Sequence, residues 1–221
     1  MNFRAVLFDF DGTLTPSLPL WVKAYEIALD GLGVRVPREE IVERCFFRDW
    51  SDAAASVGVA SPEALRVAVE HGLLEAFREA VLFPLALPLI HHCREQGMQV
   101  ALVTSSPRSM IAHVLPRLEL HERFDFVICG GDVVNYKPHP EPVLTTLRAL
   151  GRRPDEAIMV GDSRADILAG KAAGTTTALF LPDDHTQFHS TEALHACGPD
   201  HVFSDHVELP ALLGLPALPV Q

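Results

Sequence analysis

Short uninterrupted apolar runs alternate along most of this chain with longer stretches in which apolar residues recur every three or four positions. The runs are Ala5-Val6-Leu7-Phe8, Val100-Ala101-Leu102-Val103, Phe126-Val127-Ile128-Cys129 and Ala157-Ile158-Met159-Val160, and Thr176 to Leu181 reads as a further strand. Such continuous apolarity marks a strand covered on both faces, as in a parallel sheet. Helical stretches separate the later runs: Pro84 to about Gln96, Ser109 to Leu118, Pro142 to Leu150, and one that ends at Ala173 before Gly174. Alternating strand and helix predicts an α/β fold, a doubly wound, Rossmann-like parallel sheet with right-handed crossovers. Pro182 to Asp200 reads as loop plus a short helix, His201-Val202-Phe203 as a last short strand, Val207 to Leu213 as a helical turn or two, and Leu215 to Gln221 as a frayed tail.

The pattern changes between Thr13 and Pro84. A βαβ crossover needs only a dozen or so residues before the next strand, and this interval is far longer. It reads as helices only: Leu20 to Leu32, Pro37 to Cys45, Asp49 to Val57, and a long helix opened by Ser61 as N-cap and Pro62 in the first turn. Leu65, Val69, Leu73 and Phe77 mark one face of that last helix. The expected organisation is therefore a core of residues 1–14 and 84–221 with an inserted all-helical cap domain at 15–83.

Composition narrows the class. With 48% hydrophobic and 21% charged residues the chain is neither disordered nor membrane-spanning. A first strand that begins almost at Met1 leaves no room for a signal peptide, so the cytoplasm is the expected compartment. Eighteen basic against 29 acidic residues give −11, which disfavours nucleic acid and anionic membranes as partners. No obligate protein partner is evident. Lysine occurs only at 23, 137 and 171, so a lysine beside a candidate site carries unusual weight. The cysteines, Cys45, Cys93, Cys129 and Cys197, are widely spaced and expected to be reduced thiols.

Candidate chemistry gathers at strand ends. Asp9 and Asp11, two apart after the first run, face one side in extended chain, and Gly12 allows a sharp exit with Thr13 positioned to hydrogen-bond back to the turn. Thr104-Ser105-Ser106 end the second run, Lys137 lies on the loop after the third, and Gly161-Asp162-Ser163 end the fourth. In a doubly wound sheet these ends share one ligand-binding edge. A carboxylate nucleophile, a second carboxylate for protons, a hydroxyl and an ammonium for phosphate oxygens, and a further carboxylate for Mg²⁺ together fit phosphoryl transfer. His185-x-x-x-His189 has helical ligand spacing but no accompanying carboxylate motif; it reads as a solvated loop rather than a zinc site. Gly130-Gly131 reads as a turn.

On Asp9-Phe10-Asp11-Gly12-Thr13, Thr104, Lys137-Pro138 and Gly161-Asp162-Ser163-x-x-Asp166, in that order, the chain resembles the haloacid dehalogenase-like hydrolases, in particular phosphoglycolate phosphatase-like phosphatases with a helical cap. The resemblance implies that Asp9 attacks phosphorus to give an aspartyl-phosphate, and that Asp11 protonates the leaving oxygen and then activates water. It implies that Thr104 and Lys137 hold the phosphate, with help from the Asp11 and Ser105 backbone amides. It also implies Mg²⁺ on the Asp9 carboxylate, the Asp11 backbone carbonyl and Asp162, with Ser163 and Asp166 supporting these ligands from one layer out. Asp166 reads equally well as a residue serving only the helix dipole.

Within the superfamily, Asp11 argues against carbon–halogen cleavage. Trp21 stands where β-phosphoglucomutase-like members place a histidine, which favours hydrolysis over the alternative of a phosphotransferase; a non-catalytic phosphate-binding module is the reading from another class. The expected substrate is a small phosphorylated metabolite, such as phosphoglycolate, a sugar phosphate or a nucleoside monophosphate. Arg48, Trp50 and Trp21 are candidates for contact with its non-phosphate part, against the plainer reading of Trp21 and Phe46 as cap core.

Overall fold

The computed structural model describes residues 3–219; the two residues at either end, including the last of the expected frayed tail, lie outside the described residues. In chain order its elements are β1 (Ala5–Phe8), α1 (Leu18–Gly31), α2 (Arg38–Cys45), α3 (Trp50–Val57), α4 (Pro62–Ala76), α5 (Ala86–Glu95), β2 (Gln99–Pro107), α6 (Arg108–Arg117), β3 (Phe126–Gly130), α7 (Glu141–Leu150), β4 (Ala157–Gly161), α8 (Arg164–Ala173), β5 (Thr176–Phe180), α9 (Thr191–Ala196), β6 (His201–Phe203) and α10 (Leu209–Leu213). They form two compact units: residues up to Pro16 with those from Val81 onward, and Ser17–Ala80.

The first unit is built on a six-stranded parallel sheet in the order β3-β2-β1-β4-β5-β6. Winding reverses between β1 and β4, so the crevice outside their carboxyl ends is the place where such sheets bind ligands. The four residues of β1 are fully buried because helices cover both sheet faces. Ala5 and Leu7 share one face with Ala101, Val103, Ala157 and Met159, packed against Val143 and Leu147 of α7 and Ala169 and Ala173 of α8.

β2 runs further than its apolar core, through Thr104-Ser105-Ser106 to Pro107, with a register shift against β3 between Val103 and Pro107. Gly130 permits this: a Cβ there would lie 2.2 Å from the Ser105 carbonyl oxygen, so only glycine lets the two backbones approach. Gly130 is thus the last residue of a strand and Gly131, at φ +95°, starts the turn.

The second unit is all helical. Ser61 caps α4 by accepting from Ala64 N–H at 3.1 Å, and Asp49 caps α3 by accepting from Asp52 N–H at 2.8 Å. Gly72 lets α4 lie close on α1, since a Cβ there would sit 2.4 Å from the Ala24 carbonyl oxygen. No helix among the described residues is long and apolar enough to cross a membrane.

Candidate active site

β1 ends one residue before Asp9, whose N–H donates to Val160 O at 2.9 Å and so ties the β1 end to β4. The chain then turns sharply. Gly12 adopts φ +73°, and Leu14 N–H donates to Phe10 O at 3.0 Å. The side-chain bond that closes this turn comes from Thr15, whose hydroxyl donates to Phe10 O at 3.2 Å. The Thr13 hydroxyl, expected in that role, is buried with no hydrogen-bond partner; it lies two residues short of the hydroxyl that reaches the carbonyl.

Lys137 meets Asp9 here. Its side chain is 4% exposed, and Nζ donates to Asp9 Oδ1 at 2.8 Å, to Asp166 Oδ1 at 2.5 Å and to Val103 O at 2.8 Å. An ammonium has three hydrogens, so all three are committed and its position is fixed. Asp166, fully buried, uses its other oxygen in a capping box at the start of α8: Oδ2 accepts from Ser163 Oγ at 2.6 Å and Ser163 N–H at 3.1 Å. Asp166 therefore both caps the helix and holds Lys137. Gly161 makes room for it, since a Cβ there would fall 2.3 Å from the Asp166 side chain.

On β2, Thr104 is buried and its hydroxyl oxygen accepts from Ser106 N–H at 3.0 Å, while Ser105 is exposed. Ser106, not singled out by the sequence, donates from Oγ to Asp11 Oδ2 at 2.5 Å. Asp162, 2% exposed, follows β4, with an oxygen within 4.8 Å of oxygens of Asp9 and Asp166.

Burial raises the pKa of Asp9 well above the usual carboxylate range, aided by Asp166, Asp162 and Asp11 and opposed by Lys137. Burial alone would lower Lys137, but Asp166 and Asp9 outweigh it and hold the ammonium charged. Asp9 and Asp166 share one ammonium while Asp162 and Asp11 add their charge to Asp9, an excess of negative charge that a divalent cation would offset. The donors also fit a hard ion. Asp9, Asp162 and Asp166 each offer an oxygen within 4.8 Å of the others and could hold such an ion, with both Asp166 oxygens already bonded within the protein.

The histidines of His185-x-x-x-His189 are not solvated. Their side chains are 3% and 5% exposed, and His189 Nε2 lies 3.0 Å from Asp162 Oδ2. The carboxylate that the local sequence lacked comes from the neighbouring strand end, since β4 and β5 pair in parallel. Burial lowers the His185 pKa, partly offset by Asp162.

Trp21, Trp50 and Arg48 belong to the helical unit. Tyr25 gathers the aromatic groups there, its ring centroid 6.4 Å from Trp21, 6.0 Å from Phe46 and 6.5 Å from Trp50. Arg48 is exposed, and its Nε donates to Glu43 O at 3.2 Å.

The profile of the haloacid dehalogenase-like hydrolase family matches residues 6–180. A curated phosphoglycolate phosphatase of Salmonella typhimurium is 31% identical over 241 residues, spanning 97% of this chain and 94% of that protein. Among solved structures, a "predicted phosphoglycolate phosphatase" from Haemophilus somnus superposes with a TM-score of 0.82 at 21% identity, covering 96% of this chain and 98% of that one. CbbY from Rhodobacter sphaeroides in complex with phosphate gives 0.81 at 22% identity, covering 96% and 100%.

Proposed function

Because this chain belongs to the haloacid dehalogenase-like hydrolase family and is a phosphatase, we propose that it hydrolyses a small phosphorylated metabolite by Mg²⁺-dependent attack of Asp9 on phosphorus. The observation that carries this reading is the differing treatment of two neighbouring carboxylates. Asp9 is buried and pinned by Lys137, whereas Asp11 is partly exposed and bonded to the Ser106 hydroxyl.

An oxygen of Asp9 forms a bond to phosphorus as the bond to the leaving oxygen breaks, and Asp11 gives that oxygen its proton. Asp11, now a carboxylate, takes a proton from the water that cleaves the aspartyl-phosphate and restores Asp9. Lys137 opposes the pull of burial on Asp9 and orients its carboxylate, and Asp166 keeps Lys137 in place. Thr104 and the backbone amides of Asp11 and Ser105 bind phosphate oxygens. Asp9, Asp162 and the Asp11 carbonyl would hold Mg²⁺, which when bound would offset charge on the phosphate oxygens.

Phosphoglycolate leads the candidate substrates because curated relatives at about 30% identity carry that activity in their names; sugar phosphates and nucleoside monophosphates follow. We assign the choice among them to the Ser17–Ala80 unit, acting as a cap, with Arg48, Trp50 and Trp21 as the residues to test. The four cysteines, free thiols in the structure, suit a cytoplasmic setting. The test is phosphate release from a panel of these compounds with and without Mg²⁺, Asp9→Asn run alongside. Metal-dependent release by wild type and none by Asp9→Asn is expected. Release that survives Asp9→Asn would sink the nucleophile assignment, and no release from any compound would sink the reading.

A further inference from the structure

Asp162, His185 and His189 bring one carboxylate and two imidazoles together beside the acidic cluster. Asp162 follows β4, His185 lies in a single 3-10 turn at Asp183–Gln187, and His189 precedes α9. One donor atom from each lies within 4.8 Å of the others. His189 Nε2 is 3.0 Å and His185 Nδ1 3.7 Å from the same atom, Asp162 Oδ2. His185 Nδ1 is buried and has no hydrogen-bond partner, although a buried carboxylate oxygen lies 3.7 Å away. Buried polar nitrogens are rarely left in that state, and phosphatase chemistry gives this one no work.

We propose that these three residues form a second metal site, selective for a borderline first-row divalent ion such as Zn²⁺ or Co²⁺ rather than Mg²⁺. The donor set decides the class. Two imidazole nitrogens and one carboxylate oxygen suit zinc and its neighbours, whereas Mg²⁺ takes oxygen almost exclusively. Spacing agrees with this. Bonds of about 2.0–2.1 Å in a tetrahedral centre place donors roughly 3.4 Å apart, and the two measured separations from Asp162 Oδ2 fall on either side. The ion would give His185 Nδ1 its missing partner and displace the proton that His189 Nε2 shares with Asp162. Three protein ligands leave a coordination position open, the arrangement of a reactive or exchangeable site rather than a closed structural one. The inference goes beyond the phosphatase reading. It shares Asp162 with the proposed Mg²⁺ site but concerns binding of a different ion, so it is tested without reading turnover.

The test uses the full-length protein in buffer holding excess Mg²⁺, titrated with Co²⁺ and followed by visible absorption. One equivalent is expected to bind with the intensified bands of a low-coordinate cobalt centre. His189→Ala and His185→Ala are each expected to weaken binding by ~100-fold or more, since losing a ligand should exceed the 10–100-fold cost of losing a ligand's support. Asp9→Asn and the exposed-helix variant His195→Ala should keep the site. Unchanged binding in both histidine variants, or loss in Asp9→Asn, would overturn the proposal. X-ray absorption of the Zn²⁺-loaded wild type needs no variant: imidazole scattering from two ligands supports the site, and an all-oxygen shell refutes it.

Discussion

Substituting Gly12 by alanine separates the geometry of the acidic site from its composition, because no charged group changes. Gly12 sits at φ +73°, where an L-residue pays about 1–2 kcal/mol. The second cost is steric and falls on one residue. The new Cβ would lie 2.1 Å from Asp162 Oδ2, and real Cβ contacts essentially never close below 3.0 Å, so the carboxylate must retreat by about 0.9 Å. Asp162 is 2% exposed and bonded to His189, so the shift cannot be absorbed by a swing into solvent. Displacing a group that positions reactants by about 1 Å costs on the order of 10²-fold in rate. We therefore expect Gly12→Ala to lower kcat/KM by about 10²-fold and to raise the half-saturating Mg²⁺ concentration, while unfolding free energy falls by about 1–2 kcal/mol for the backbone plus about 1–3 kcal/mol for the displaced carboxylate. Initial rates across a Mg²⁺ series, with urea unfolding of the same preparation, measure all three. A variant with wild-type Mg²⁺ dependence and rate would refute the assignment of Asp162 as a ligand held in place by the absence of a Cβ at position 12.

His206 packs against Phe180 with ring centroids 4.5 Å apart, and burial pushes its pKa down to about 4, so it is neutral in the folded protein and protonates first in the unfolded chain. Its contribution is intact above pH 6.5 and lost as pH falls toward 4, about 3 kcal/mol in all; His206→Leu should flatten that part of a urea-unfolding profile taken between pH 7.5 and 4.5, and parallel profiles would contradict this. Ser106→Ala removes a charge-assisted bond to Asp11, worth about 1.5–3 kcal/mol, so kcat/KM should fall roughly 10–100-fold with a shifted pH profile; Ser106→Thr should recover most of it, and an unaltered profile would remove Ser106 from the site. Asp166→Asn takes a partner from buried Lys137 and should cost about 3–5 kcal/mol in urea unfolding, an effect that a purely helix-capping Asp166, worth about 1 kcal/mol, would not produce.

What the sequence made legible follows from where the information lies. Strands buried on both faces announce themselves as apolar runs, and in a parallel doubly wound sheet every carboxyl end faces the same edge. Asp9, Thr104, Lys137 and Asp162 were therefore readable as neighbours without any pairing being known. Ser106 was not, because three consecutive hydroxyls end β2 and the register shift against β3 decides which of them turns toward Asp11. Thr13 and Thr15 illustrate the same limit at the scale of one turn.

The histidine pair shows a different limit. His185 and His189 sit 23 and 27 positions beyond Asp162, and the surrounding polar residues, Asp183, Asp184, Thr186 and Gln187, give the segment the composition of a solvated loop. Parallel pairing of β4 with β5 nevertheless returns the chain to the end of β4, and Phe83 and Phe180 supply ring contacts to His185 at 5.9 and 6.0 Å. The polar residues face water while both imidazoles turn inward, a division that follows the fold of this segment over the sheet edge. One consequence is electrostatic. His189 Nε2 and His185 Nδ1 lie 3.0 and 3.7 Å from Asp162 Oδ2, whereas Lys137 bonds to Asp9 and Asp166, so the excess charge of the acidic cluster is met by two different chemistries. An ammonium balances Asp9 and Asp166 permanently, whereas the imidazoles can offer Asp162 only a hydrogen bond or a shared metal. That asymmetry makes Asp162 the carboxylate whose coordination depends most on which ions are present.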